Sequence, residues 1–353
     1  MSFIRNKPLS SPIQGSLSMD VTLPADAEDT ISSVSWSPVA NHLAAASWDG
    51  KVRVYDVNAN DGTARGVAGL VGVAPVLDCD WAKDGSMLVA GDVSKKPHLL
   101  HLATGQEAAL DPHSAPIRSV RFVEVPGAGA PVLVTGSWDR SIRFYDLRQQ
   151  RPFAAHDCKE RVYAMDAKAR LLVVATAGCR IHLIDLQNPT VIAKTQDSPL
   201  KHQTKAVAAF PDGKGWATAS IEGRCGISAV DDAEASRTNF TFRCHREQPD
   251  SRQISKVWSV NDVRFHPVNQ SVFTTAGSDG TFHFWDRVAH SRLKGYPSAG
   301  SAITSTAFNA DGKLFAYAVG YDWSMGAVGN TPQVQTKLML HPVLAEDAMP
   351  KKK

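Results

Sequence analysis

The chain has 353 residues, of which 43% are hydrophobic and 21% charged, and a formal net charge of +3. That composition is ordinary for a globular protein and excludes a disordered or fibrous chain. The net charge is too small to argue for any class of partner, and no apolar run is long enough to span a membrane as a helix. Residues 1–14 are basic and polar without an apolar core or cleavage site, so no secretory signal is expected. Five cysteines (Cys79, Cys158, Cys179, Cys225, Cys244) are odd in number and scattered. They read as reduced thiols in or beside strands of an intracellular protein, not as a disulfide framework.

In chain order, the first element is Asp20-Val21-Thr22-Leu23-Pro24, a short isolated strand. The first strong motif follows in Ser47-Trp48-Asp49-Gly50, which runs into a strand ending Tyr55-Asp56. Ser137-Trp138-Asp139-Arg140 repeats it, with a strand ending Tyr145-Asp146, 90 positions later. Two units of about 45 residues fit that interval, the period of a four-stranded propeller blade. Between them, Ala90-Gly91-Asp92 through His101-Leu102 is a weaker copy that lacks the aromatic-Asp ending and has Pro97 beside its third strand. Further copies end at Asp185, contain Ser220-Ile221-Glu222-Gly223-Arg224, and run from Gly277-Ser278-Asp279-Gly280 to Trp285-Asp286. A last unit opens at Ile303.

Each unit has the same grammar. An alternating strand leads into an Asp-Gly or Pro turn, then a small apolar strand, a tight turn and a third strand. No segment has sustained helical periodicity. The expected fold is all-β, a seven-bladed β-propeller, because such short strands bury a core only by stacking blade on blade. The last unit is short of its outermost strand. The segment around Val21 is expected to supply it and so close the ring without exposed edges. The expected organisation is a flexible tail over 1–18, a propeller over 19–345 and a flexible basic tail over 346–353.

Catalysis is not expected. The recurring acids Asp49, Asp139 and Asp279 sit in tight turns, where Asp bonds its own backbone. The histidines lack metal-ligand spacing, and there is neither a nucleophile elbow nor a phosphate loop. No cofactor or metal is expected. The turn-entry position is different: Trp48, Trp138 and Ile221 stand where a solvated turn would carry a small or polar residue. In a propeller these turns share one face, and aromatic rings on a rigid platform suit peptide binding. The alternative is packing against the neighbouring blade. Arg224 emerges on the same face and Arg243 lies on the next strand, where forked guanidinium groups suit carboxylates.

A series of longer words carries a resemblance over about residues 28–345. It includes Pro199-Leu200-Lys201-His202-Gln203, Ser220-Ile221-Glu222-Gly223-Arg224, Phe242-Arg243-Cys244-His245-Arg246 and Tyr321-Asp322-Trp323-Ser324. In these words the chain resembles the messenger-RNA export factors of the nuclear pore, a WD40 family whose near relatives are spindle-checkpoint WD40 proteins. The resemblance implies a non-enzymatic nuclear adaptor at the nuclear envelope, able to shuttle to the cytoplasm, with no membrane contact. It implies a monomeric propeller paired in a heterodimer with a phenylalanine-glycine nucleoporin. That partner would offer a GLEBS hairpin, an acidic-hydrophobic segment, to Trp48, Trp138, Arg224 and Arg243. It further implies a side patch of Phe242, Trp285, Arg287 and Lys294 for single-stranded RNA or RNA-bound proteins, with salt-sensitive phosphate contacts. Trp285 fits equally the third-strand tryptophan of an ordinary WD repeat. A checkpoint-type scaffold binding a kinase-borne GLEBS segment is the alternative function.

Overall fold

The computed structural model describes residues 14–350 apart from residues 25, 73 and 332. Among them the chain forms seven four-stranded antiparallel sheets. Blades 1 to 7 are defined by their inner strands, Ile31–Trp36, Val76–Trp81, Ile117–Val123, Val162–Lys168, Thr204–Ala209, Val260–Phe265 and Ile303–Phe308. In blades 1 to 6 the remaining strands follow outward in sequence order, as hairpin-linked strands do when every connection is short. Helical structure among the described residues is confined to one α-helical turn, Ala235–Thr238, and three 3₁₀ turns. No described helix is long and apolar enough to cross a membrane.

The second strands explain why the repeat contains so many small apolar residues. Val132–Ser137, Leu171–Thr176, Gly215–Ser220, Val272–Gly277 and Leu314–Val319 are buried at every position. Both faces are covered by neighbouring blades, so alternation disappears. Near the ends of two such strands only glycine fits. A Cβ on Gly91 would stand 2.7 Å from Ile117, and one on Gly136 the same distance from Val162. The apolar core is divided accordingly into seven clusters, each made where two successive blades face one another. Ile31, Val34 and Leu43 of blade 1 meet Leu23, Leu314, Ala316 and Leu338 of blade 7 across the seam between them.

That seam closes as the sequence implies. Val21–Leu23 pairs with Lys337–Pro342 and becomes the outer strand of blade 7, with Val21 opposite Leu340. A buried polar latch reinforces it. Asp20 accepts from His341 Nδ1 at 2.7 Å and from the Tyr317 hydroxyl at 2.6 Å. Asp20→Ala leaves both buried donors without an acceptor, a loss of about 1–3 kcal/mol for each. The expected result is a lowered urea midpoint; an unchanged midpoint would mean that the backbone ladder alone holds the seam.

Two sequence expectations change at the ends. Residues 346–348 are anchored: Asp347 is fully buried, and the Ala348 carbonyl accepts from Asn269 Nδ2 at 2.7 Å. Residues 14–18 also lie on the propeller, with Gly15 N donating to Gly295 O at 2.8 Å and Leu17 packed on the core. Both segments are held by contacts to blade 6, far away in sequence. Residues 1–13 and 351–353 of the expected tails lie outside the described residues. Blade 2 is complete despite its weak motif: Pro97 begins the third strand, where its missing N–H matters least, and Glu107–Ala109 supplies the fourth.

Candidate functional site

The repeated acids are structural. Asp139 accepts from His113 Nδ1 at 2.8 Å, and the other ring nitrogen, 2.7 Å from Thr135 Oγ1, accepts that hydroxyl. Burial pushes the Asp139 carboxyl up, but hydrogen bonds from His113 and Ser141 outweigh it and hold the group well below the usual carboxylate range. Blade 6 extends the relay. Asp279 accepts from His245 Nδ1 at 2.9 Å, His245 Nε2 takes the Thr275 hydroxyl at 3.0 Å, and Trp285 Nε1 donates to Thr275 Oγ1 at 2.9 Å. The turns themselves need left-handed backbone, supplied by Gly50, Gly223 and Gly280 with φ of 84°, 62° and 75°; Arg140 adopts 72° in the second strong repeat.

The turn-entry side chains lie on the end of the propeller where the second strands hand over to the third. Trp48 is half-buried and stacks on Trp323 of blade 7, with ring centroids 5.4 Å apart and planes 25° from parallel. Trp323 has a left-handed backbone, φ 60°, which turns the Tyr321-Asp322-Trp323-Ser324 loop back towards blade 1. Trp138 is half-buried as well, and its indole nitrogen has no partner among the described residues. Ile221 is 43% exposed, and Met325 and Val328 beyond Trp323 are 72% and 91% exposed.

The arginines are a closer pair than the sequence indicates. Arg224 opens the third strand of blade 5 and Arg243 closes the fourth, and the register sets them directly opposite each other. Like charges at such a position repel. Glu222 relieves part of this: Arg224 Nε is 3.6 Å from its carboxylate, which also receives Arg246 at 2.6 Å and lies 3.3 Å from His202 Nε2. Arg243 is exposed and, among the described residues, has no acidic partner. Two guanidinium groups therefore share one carboxylate and a third stands beside them, leaving a local charge of +2. The contribution of Trp323, Glu222 and Arg246 was not apparent in the sequence. A tryptophan in the turn of the last blade was the only signal for the first.

The side patch is assembled differently from the sequence expectation. Phe242 packs on Trp285 with centroids 4.6 Å apart, but Trp285 is the fourth member of the blade 6 relay, so its ordinary structural reading holds. Arg287 stacks its guanidinium 4.2 Å from the Phe210 ring centroid and faces Asp212 at 3.9 Å. Lys294 reaches Glu346 at 2.9 Å and Asp347 at 2.6 Å, and its side chain is only 12% exposed. Both cations are thus engaged within the chain. Sequence reading treated the two acids as part of a loose tail and could not pair them with Lys294.

Comparison with known proteins decides the family. The WD domain, G-beta repeat model matches residues 20–56, 105–146 and 240–286. The chain is 46% identical to the mRNA export factor GLE2 of Chaetomium thermophilum, over 96% of this chain and 94% of that protein. The chain belongs to the messenger-RNA export factor family of WD40 propellers. Within it, the Poly(A)+ RNA export protein of Schizosaccharomyces pombe is also 46% identical, over 96% and 95% of the two chains. The WD40 repeat protein poxJ of Penicillium oxalicum is 51% identical over 96% of this chain and 97% of its own length. These alignments run through all seven blades, so the three segments matched by the repeat model are the regular members of a longer series. The intervening blades diverge at the motif, as blade 2 does around Pro97.

Proposed function

We propose that this protein is a non-enzymatic adaptor in messenger-RNA export, acting in the nucleus and at the nuclear pore, and that it binds the GLEBS hairpin of a phenylalanine-glycine nucleoporin on the face carrying Trp48, Trp138, Arg224 and Arg243. The opposed arginines carry the reading. A folded chain keeps two guanidinium groups face to face on an exposed edge at some loss of stability, and an acidic segment between them removes that loss. The Trp48–Trp323 stack and the exposed Met325 and Val328 supply apolar area on the same face for the hydrophobic part of the hairpin. The export names of the relatives favour this pathway over a checkpoint scaffold.

RNA contact through the side patch does not enter the proposal, because Lys294 would have to leave Asp347 and Glu346 and Arg287 would have to leave the Phe210 ring. The test is calorimetric titration of a synthetic GLEBS hairpin peptide into the full chain. Binding that saturates at one peptide per protein is expected. Absence of binding would reduce the reading to a propeller with a different partner.

A further inference from the structure

Each of the seven inner strands begins with the same irregularity. In blade 1, Ile31 faces Ser47 and Ser33 faces Ala46, so Ser32 is left over between them. Around the ring the left-over residues are Ser32, Leu77, Arg118, Tyr163, Lys205, Asn261 and Thr304. A bulge of this kind frees one side chain from the ladder and re-aims it. Three of them belt one blade to the next. Ser32 donates to Val76 O at 2.6 Å, Asn261 to Ile303 O at 2.9 Å and Thr304 to Ile31 O at 2.7 Å. In every case the acceptor is the first residue of the following inner strand.

The two cations break this pattern. Lys205 makes no such bond, and among the described residues its ammonium has no hydrogen-bond or ion-pair partner. Arg118 has a single long bond, 3.4 Å, back to Leu77 O. Both line a cavity of about 50 Å³ in the channel. Arg121 and Arg264 line it too, but these are matched. Arg121 Nη1 is 2.7 Å from Asp78 Oδ2, and Arg264 Nε is 3.2 Å from Asp262 Oδ2. Asp166 beside Arg121 and Asp322 towards Lys205 add carboxylates just beyond the lining, and the two cations without a hydrogen-bonded carboxylate among the described residues are the ones at the bulges. Burial and the nearby Arg118 hold the Lys205 ammonium below its ordinary range, against the opposing pull of Asp322.

We propose that this end of the channel is a binding site for one phosphate group, either inorganic phosphate or the end of a small phosphomonoester. Neither Arg118 nor Lys205 has a carboxylate within hydrogen-bond distance among the described residues, so both can turn their donors on one bound group. The guanidinium fork of Arg118 and the point charge of Lys205 are the usual pair of phosphate donors. The cavity is the size of a few waters, which suits one such group and excludes a polymer strand. This inference does not rest on the hairpin reading, since the site lies in the channel and not on the arginine pair of blade 5.

The experiment is thermal unfolding and calorimetry of the full chain, titrated with sodium phosphate against sodium chloride of equal ionic strength, and then with phenyl phosphate. A midpoint that rises and saturates with phosphate but not with chloride is expected, because a ligand that binds only the folded state stabilises it. Lys205→Met and Arg118→Gln should each weaken the response by roughly tenfold, the loss of one charge-assisted bond. Lys205→Met should unfold little earlier than wild type without phosphate, since it removes a buried charge that makes no hydrogen bond or ion pair among the described residues, so its lost response would not reflect misfolding. A stronger effect of phenyl phosphate would identify a phosphomonoester as the ligand, and a weaker one the free ion. No shift beyond chloride, or an undiminished phosphate response in Lys205→Met, would overturn the proposal.

Discussion

Arg243→Glu is expected to weaken binding of a GLEBS hairpin peptide by roughly 30-fold, the equivalent of one charge-assisted hydrogen bond of about 2 kcal/mol. The propeller should stay folded, and its stability should hold or rise. The substitution places a carboxylate opposite Arg224, so a repulsive cross-strand pair becomes an attractive one. Arg224→Glu should weaken the peptide less than Arg243→Glu, because Arg224 already shares Glu222 with Arg246. The double variant should lose between about 10² and 10³ in affinity if the two act independently. Calorimetry of the three variants, with unfolding curves as controls, checks the ranking. Undiminished affinity in a folded Arg243→Glu variant would place the hairpin elsewhere.

Arg121→Met is expected to have the largest effect on stability. Arg121 holds two carboxylates of different blades, Asp78 Oδ2 at 2.7 Å and Asp166 Oδ1 at 3.4 Å, and Asp78 also takes hydroxyls from Ser33 and Ser119. Removing the cation leaves buried carboxylates uncompensated, a loss of about 3–5 kcal/mol. The pH dependence gives a second readout. Burial pushes the Asp78 carboxyl up, but Arg121 and Arg118 outweigh it, so the folded group sits below its ordinary value. A depressed folded pKa contributes stability above the unfolded pKa, near 4, that is lost as pH falls through the folded value. Without Arg121 burial is opposed only by Arg118 and the two serine hydroxyls, so the folded pKa rises and the stability this group contributes at neutral pH falls. The gap between wild type and variant should therefore be widest near pH 7 and narrow towards about pH 4. A gap independent of pH would mean that lost packing, not lost charge, accounts for the defect.

Much of the architecture was legible because it rests on short-range rules. The Asp-Gly turns, the alternation of inner strands and the spacing of Trp48 and Trp138 are each decided within a few residues, and repetition multiplies a weak local signal into a blade count. The closing strand at Val21–Leu23 was legible for a different reason: the last unit lacked a fourth strand, and an unpaired edge must be covered. The structural role of Asp139 and Asp279 followed from turn chemistry alone. Their histidine partners did not, since His113 and His245 come from the loop before each blade.

The candidate site was legible only as an inventory. The sequence by itself determined the fold, the number of blades, the end of the ring on which Trp48, Trp138, Arg224 and Arg243 emerge, and the family. Tertiary structure alone decided which of those charges are free. Lys294 is neutralised by Asp347 from a segment that read as tail, and Trp285 is occupied by Thr275. Arg243 stands opposite Arg224 without an acidic partner among the described residues, and Trp48 meets Trp323 from the far end of the chain. The physical reason is range. Backbone pairing and turns are settled between neighbours in sequence, whereas the neutralisation of a charge depends on whichever residue ring closure brings within a few ångströms.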